Sequence, residues 1–172
     1  MKRLIIASLG LLLLAACSIT DKSRATAFDK NVKWALLPME NHTETPQAGL
    51  RMEAIIETII RVKGAMSLET YPSSVTGDSV FEPTDDKTVE NAIVWAQQTG
   101  ARYAVAGTVN EWRYKTGIDG KPAVGVALKI IDLETHKVIW DAAGARTGWG
   151  REAVSAVAQK LLENLTGNIK LQ

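Results

Sequence analysis

The fold is decided by residues 102–133, RYAVAGTVNEWRYKTGIDGKPAVGVALKIIDL. A long, largely apolar segment is followed by a turn with an Asp119-Gly120 pair, which is typical of β-hairpins. The returning segment alternates, and its apolar side chains share one face at Val124, Val126, Leu128 and Ile130. A second turn, ETHK at 134–137, leads into another apolar segment at 138–145. This pattern predicts three strands in an antiparallel meander.

A strand and a helix are predicted near the start of the domain. Residues 32–40, VKWALLPME, form an apolar run that we interpret as a buried strand ended by Pro38. Residues 47–63 then carry isoleucines and a methionine at helical spacing, with charged residues elsewhere on the helical wheel. We predict a helix over this segment, and we expect Gly64 to end it.

The alternation of strand and helix continues up to the meander and resumes after it. The AMSLETY segment at 65–71 predicts a strand, and a polar loop at 72–86 separates it from a helix marked by Val89, Ala92, Ile93 and Ala96. A third helix carries an apolar stripe at Val154, Val157, Ala158, Leu161, Leu162 and Leu165. The order β-α-β-α-β-β-β-α predicts an α/β (α+β) fold, with a mixed sheet, an antiparallel meander in its C-terminal half and helices packed on the sheet.

The first twenty residues, MKRLIIASLGLLLLAACSIT, have the layout of a secretory signal peptide. Lys2 and Arg3 precede an apolar run that is too short for a membrane-spanning helix with the usual flanks. The end of the run, LAAC, resembles the lipobox of bacterial lipoproteins, which implies a signal peptide over 1–16 and acylation of Cys17. The alternative is a buried apolar helix that happens to end in cysteine. In lipoproteins, a residue such as Ser18 after the cysteine goes with delivery to the outer membrane.

Composition narrows the function classes. Without Lys2 and Arg3, the 20 basic residues fall to 18 against 19 acidic ones, a formal net charge of −1 that does not suggest a nucleic-acid partner. The chain has one Cys, so none is left for a disulfide, a thiolate nucleophile or a Cys-metal site once Cys17 is acylated. We expect no metal and no cofactor. We predict a lipidated tether over 17–31 and one periplasmic domain over 32–172.

A tryptophan between two glycines follows the meander, in TGWGRE at 147–152. The ring of Trp149 has several possible surroundings: an anion held by the loop, a partner protein, a membrane, or the core of the chain. The loop lacks both a Walker lysine and a Gly-x-Gly-x-x-Gly pattern, which disfavours nucleotide binding. We favour a membrane contact, because Trp prefers the bilayer interface and Arg146 and Arg151 can pair with anionic headgroups.

The best catalytic or metal-site candidate consists of Glu40, His42 and Glu44. These residues follow the first predicted strand of the domain, where active sites of open α/β sheets commonly lie. The plainer alternative, which we prefer, is a solvated polar loop in which Asn41 forms a turn. His136, in the ETHK segment, is interpreted as a turn residue.

Three stretches carry a resemblance to a known fold: WALLPMEN at 34–41, GARYAVAGTV at 100–109 and LKIIDLETHKVIWDA at 128–142. They resemble the periplasmic α/β lipoprotein fold shared by curli-secretion-type lipoproteins, penicillin-binding-protein activators and the amino-terminal domain of TolB. With the lipobox and the TGWGRE loop, the chain is most similar to the PelC family, outer-membrane lipoproteins of Pel polysaccharide export. The shared motifs mostly encode the fold.

This resemblance implies a non-enzymatic lipoprotein on the periplasmic side of the outer membrane. It implies a homo-oligomeric ring that guides a cationic exopolysaccharide toward its outer-membrane porin. In a ring, loop carboxylates repeat around the pore and attract a cationic polymer; the candidates are Asp78, Glu82, Asp85, Asp86 and Asp119. Acidic loops are also common without any function, and that alternative stays open.

Trp95 and Trp112 are the candidate contacts between subunits. Trp95 lies about 240° around its helix from Val89, off the apolar stripe, so an isolated domain would leave it partly exposed. Trp112 could serve either an interface or the core. Two other functions compete with the ring: a monomeric lipoprotein that activates a peptidoglycan synthase, and an envelope hydrolase centred on Glu40 and His42.

Overall fold

The computed structural model describes residues 18–24, 26–72, 86–117, 120–150 and 152–172, so the predicted signal peptide and Cys17 lie outside the described residues. The strands are β1 (Ser18–Lys22), β2 (Thr26–Phe28), β3 (Trp34–Asn41), β4 (Leu68–Thr70), β5 (Tyr103–Tyr114), β6 (Pro122–Asp132), β7 (Lys137–Thr147) and β8 (Ile169–Leu171). The helices are α1 (Ala48–Lys63), α2 (Asp86–Gln98) and α3 (Val154–Thr166).

The predicted mixed sheet is confirmed. Six strands are ordered β1-β7-β6-β5-β3-β4, and β3 runs parallel to both β4 and β5. The predicted meander is present, because β5, β6 and β7 pair antiparallel in sequence. A separate parallel pair joins β2 to β8. The predicted order of strands and helices therefore holds from β3 to α3, and three short strands are added to it.

Helices cover both faces of the sheet. Alternation along β3 sends Leu36 into one buried cluster and its neighbours Ala35 and Leu37 into another. The first cluster contains the apolar stripes of α1 and α3, whereas the second contains Ala92 and Ala96 of α2. None of the helices in the described part of the chain is long and apolar enough to cross a membrane.

The first strand of the domain does not end at Pro38, contrary to the prediction. β3 continues to Asn41, and a bulge between Leu36 and Met39 absorbs the proline, which has no N–H to give to the ladder. Glu53 of α1 reaches this irregularity, since its Oε1 accepts the N–H of Met39 at 2.8 Å. Burial raises the pKa of the Glu53 carboxyl, and the bond from Met39 opposes that rise.

The predicted tether is the largest difference between sequence and structure. Residues 18–22 form β1, which pairs antiparallel with the edge of β7, and residues 26–28 form β2. Side chains hold the segment as well: the Lys22 ammonium donates to the Asn164 carbonyl at 2.8 Å, and the Asn168 amide donates to the Ser23 carbonyl at 2.6 Å. The tether interpretation is therefore wrong for these strands. Their backbone pairing needs no apolar pattern, so the polar sequence concealed it.

Candidate functional site

The loop that carries Trp149 is tightly fixed to the end of the sheet. The N–H of Gly148 donates to the Pro122 carbonyl at 2.8 Å, which joins the end of β7 to the start of β6. A Cβ on Gly148 would lie 2.5 Å from Val157 and 2.9 Å from Pro122, so only glycine fits there. The next residue turns outward, and Trp149 is 52% exposed. The core alternative for Trp149 is therefore wrong.

The carboxylate of Glu152 fixes this loop by accepting two hydrogen bonds. Its Oε2 accepts the N–H of Trp149 at 3.2 Å, and its Oε1 accepts the Lys160 ammonium at 2.5 Å. These two bonds, led by that of Lys160, hold the pKa of the Glu152 carboxyl below its ordinary value, and Arg146 contributes in the same direction. The Tyr114 hydroxyl donates to the Glu152 carbonyl at 3.2 Å. A carboxylate thus fixes the backbone while the indole stays free.

The surroundings of Trp149 are aromatic and basic. Tyr114 is 53% exposed at the end of β5, and the Lys115 ammonium donates to the Thr147 hydroxyl at 3.1 Å. We call Tyr114, Lys115, Arg146 and Trp149 the aromatic end. Amphipathic rings with cations beside them suit the boundary between lipid headgroups and acyl chains. Arg151, the other predicted lipid contact, lies outside the described residues.

β1 reaches the same end of the molecule. In the pairing of β1 with β7, Ser18 lies opposite Arg146, so the first described residue stands at the edge of the aromatic end. The sequence did not reveal this neighbourhood, because the polar segment 17–31 predicts a tether. Lys115 was also missed as a site residue, and Tyr114 was not predicted to contact a membrane. Their signal was available in the WRYK segment, where an aromatic and a cation follow the apolar part of β5.

Glu40 lies near the end of β3, and His42 and Glu44 follow it in an ordered polar loop. Asn41 Oδ1 accepts both the N–H and the hydroxyl of Thr43, at 3.1 and 2.8 Å, so the predicted Asn41 turn is confirmed. His42 Nε2 lies 3.3 Å from Glu40 Oε2, which makes a carboxylate-imidazole pair. The hydroxyls of Thr43 and Thr45 donate to other groups in this fold, Asn41 and the Trp112 carbonyl. Among the described residues, no cluster of His, Cys, Asp and Glu suits a metal ion.

Comparison with known proteins gives similarity to solved structures. No family model and no curated protein matches the chain. The PelC dodecamer of Paraburkholderia phytofirmans, solved in two crystal forms, is 33% identical over 91% of this chain. The matches cover 100% and 99% of the PelC chains, with TM-scores of 0.78 and 0.77.

The chain belongs to the PelC family. Lipoprotein GNA1162 from Neisseria meningitidis is 13% identical, with 79% of this chain and 96% of that chain covered and a TM-score of 0.53. At that identity the likeness shows a shared fold alone. The predicted resemblance to the PelC family and to a lipoprotein fold is therefore confirmed.

The predicted acidic residues of this PelC-family chain are mostly beyond what the structure describes. Asp78, Glu82 and Asp85 lie outside the described residues, as does Asp119 in the β5-β6 turn. Asp86 begins α2, and its side chain is not described. Their role in attracting a cation stays a prediction.

The two predicted subunit contacts differ in the PelC-family fold. Trp95 is half-buried and packs edge to face on Tyr71, with ring centroids 5.4 Å apart, so only part of its ring faces outward. Trp112 is 2% exposed and belongs to the main core. Its ring has no surface to offer a neighbouring subunit, and the interface role predicted for it is wrong. The bulge after Val109 lets Val109 and Trp112 both point into the core.

Proposed function

We propose that this chain is a lipid-anchored protein on the periplasmic side of the outer membrane, where copies assemble into a ring and guide a cationic exopolysaccharide toward its export porin. The observation that carries the proposal is the 33% identity, over 91% of the chain, to a PelC that forms a dodecamer. Similarity of this extent supports a similar assembly.

A ring gives the acidic loops a purpose that they lack in a monomer. Each carboxylate in the 72–86 loop or at Asp119 would be repeated once per subunit, and the fields of the copies would add around a central opening. Such a circle concentrates a cationic polymer without binding any single unit tightly. Passage requires this weak and distributed attraction, because a tightly held polymer would block the opening.

The aromatic end supplies the membrane contact in this proposal. The lipid predicted on Cys17 would be attached one residue before Ser18, and Ser18 pairs with Arg146. Acyl chains and Trp149 would then enter the same leaflet within a short distance of each other. Because an acyl anchor gains from a second contact, the exposed indole and its neighbouring cations would also fix the orientation of the domain.

We propose no enzymatic role and no cofactor. The hydrolase hypothesis needs a nucleophile for His42 to activate, and the pairing of His42 with Glu40 can orient the imidazole but supplies no nucleophile. The two threonine hydroxyls of the same loop already donate elsewhere. The described part of this loop therefore offers the Glu40-His42 pair no free threonine hydroxyl to activate.

The mass of the assembly tests the ring. The full chain, purified in detergent, would be measured by light scattering with the detergent contribution subtracted, and a Cys17→Ser variant would show whether assembly depends on the lipid. We expect a closed oligomer of one defined mass for both. A monomer at high concentration would instead favour the activator of a peptidoglycan synthase. Any shortened chain must keep residues 18–28, since β1 and β2 belong to the fold.

Polymer export tests the acidic loops separately. Asp78→Asn, Asp85→Asn and Asp119→Asn, alone and combined, would be compared with Glu90→Gln, which removes an exposed carboxylate from α2. We expect secreted polymer to fall with the number of loop charges removed, and the Glu90→Gln chain to export normally. Equal export by all variants at equal protein level would contradict the guiding role.

A further inference from the structure

A cleft opens where β5 runs past the end of β3. The last paired residues are Asn41 and Val109, but β5 continues to Tyr114 with β6 along its other side. The loop at 42–46 stands opposite this extra length of β5. The space between them is about 680 Å³ and is lined by residues 42–46 and 110–113. Pockets for small ligands commonly fall within roughly 300–1,000 Å³.

The walls of the cleft are fixed by hydrogen bonds. The N–H of His42 donates to the Val109 carbonyl at 2.9 Å, and the Thr45 hydroxyl donates to the Trp112 carbonyl, so the loop is joined to β5 at both ends. The Asn41 amide donates to the Thr45 carbonyl at 2.9 Å, which closes the loop on itself. A wall held this way keeps its shape without a ligand, which lowers the cost of binding.

The groups facing the cleft favour a ligand with both positive charge and hydroxyls. Glu44 is exposed and has no ion pair among the described residues, whereas Glu111 lies 3.1 Å from Arg113 Nε. With Glu40 next to the cleft, carboxylates outnumber the single guanidinium. The amide of Asn110 and the hydroxyl oxygens of the loop can exchange hydrogen bonds with hydroxyls.

We propose that this cleft binds an amino-sugar unit of the polymer, with Glu44 and Glu111 receiving the ammonium group and Asn110 a ring hydroxyl. The inference rests on the proposed function, which supplies a cationic polysaccharide. It assigns a binding site for a single sugar unit on each subunit, apart from the field of the acidic loops. Because Glu44 is exposed to water, each site holds its unit weakly and releases it readily.

Ligand-observed saturation-transfer NMR on the full chain in detergent tests the site. The probe is a tetramer of glucosamine, and the matched probe is the fully N-acetylated tetramer, which has the same ring without the charge. Glu44→Gln, Glu111→Gln and the double variant would be compared with the wild type and with Glu90→Gln. We expect binding of the charged tetramer to weaken about fivefold or more in the double variant and to be unchanged in Glu90→Gln.

Three results would overturn the cleft assignment: wild-type affinity in the double variant, equal affinity for both tetramers, or no saturation of the charged tetramer by the wild type. Polymer export and ring mass, measured on the same double variant, keep this failure apart from failure of the proposed function. A double variant with wild-type affinity, an intact ring and export that still depends on Asp119 removes the cleft alone. Loss of the ring in the wild type removes the proposed function instead.

Discussion

Trp140 and Trp149 stand nine residues apart and have opposite environments. Trp140, on β7, is 1% exposed, and its ring N–H donates to Asn168 Oδ1 at 3.3 Å. Trp149, just beyond β7, is 52% exposed, and the bonds that fix it reach its backbone. The difference shows two ways of using a tryptophan. One ring fills a core and has its polar atom satisfied, whereas the other is held outward by a structure that leaves the ring free.

The largest effect on stability is expected from substitution of the buried Trp140. Trp140→Ala removes a side chain packed in the main cluster and leaves a cavity, so we expect the free energy of unfolding to fall by about 3–5 kcal/mol. Urea denaturation followed by circular dichroism measures the loss. Trp140→Phe is the control, since it keeps most of the packing and should lose clearly less. A loss below about 1 kcal/mol for Trp140→Ala would mean that the core closes over the gap.

The next effect concerns the glycine that lets the exposed ring turn outward. Gly148→Ala places a Cβ 2.5 Å from Val157 and 2.6 Å from the Glu152 carboxylate, which forces the loop to shift. We expect a loss of about 1–3 kcal/mol, measured by the same denaturation. Gly125→Ala is the matched control, because its nearest contact, at 3.4 Å, is an ordinary one. Equal stability of the two variants would show that the loop yields without cost.

A smaller effect on stability is expected from the hydrogen bonds of Glu152, and this effect depends on pH. The pKa of Glu152 is lowered in the fold, so its contribution is present above the ordinary pKa of a glutamate and is lost as pH falls through the lowered value. Glu152→Gln should therefore destabilise by less than about 1 kcal/mol at neutral pH and by nothing at low pH. Hydrogen exchange of the Trp149 amide should be faster in the variant at neutral pH.

The pKa of Glu53 is shifted in the opposite direction from that of Glu152, so the two residues should change stability with pH in opposite ways. Burial raises its pKa, so the charged form is disfavoured in the fold and the stability tied to this group is lost as pH rises through the raised value. Glu53→Gln keeps an oxygen for the Met39 N–H. It should match the wild type at low pH and equal or exceed it at neutral pH. The effects of Glu152→Gln and Glu53→Gln on the free energy of unfolding should therefore change with pH in opposite directions. A change in the same direction for both variants would contradict the two pKa assignments.

The helices and the meander could be predicted from the sequence, whereas β1 could not. The helices were predictable because Met52, Ile56 and Ile60 repeat at helical spacing, and the meander because its turns carry strong signals. β1 was not, because SITDK lies on the edge of the sheet, mostly exposed, and is recruited by backbone pairing to β7. No side-chain period marks such a strand.

The candidate site was predicted only in part for a related reason. An indole between glycines at 148 and 150 indicated exposure, and Trp149 is exposed. The hydrogen bonds that fix this loop could not be predicted, because Glu152, Lys160 and Tyr114 meet only after β5 and α3 are in place. Trp112 was misassigned as an interface residue because a bulge is a shift in strand pairing, and the residues around it carry no signal of it.

The smallest effect on stability, and the most informative one for function, is expected at Trp149. Trp149→Ala removes a ring that is half in water, so the free energy of unfolding should change by less than about 0.5 kcal/mol. Membrane contact would be measured on the lipidated chain in vesicles that contain brominated phospholipids, which quench tryptophans at the depth of the bromine atoms. We expect quenching in the wild type and in Trp140→Phe, and its loss in Trp149→Ala.

Quenching can be assigned to Trp149 because the tryptophans of the chain have different exposures. Trp34, Trp112 and Trp140 are buried inside the domain, and Trp95 packs on Tyr71, so Trp149 is the ring best placed to meet lipid. Trp149→Tyr should keep the domain in the same orientation, because tyrosine also favours the bilayer interface. Quenching that persists in Trp149→Ala would move the contact to another ring. No quenching in the wild type would leave the lipid proposed on Cys17 as the sole membrane contact and would favour a protein partner for the exposed indole.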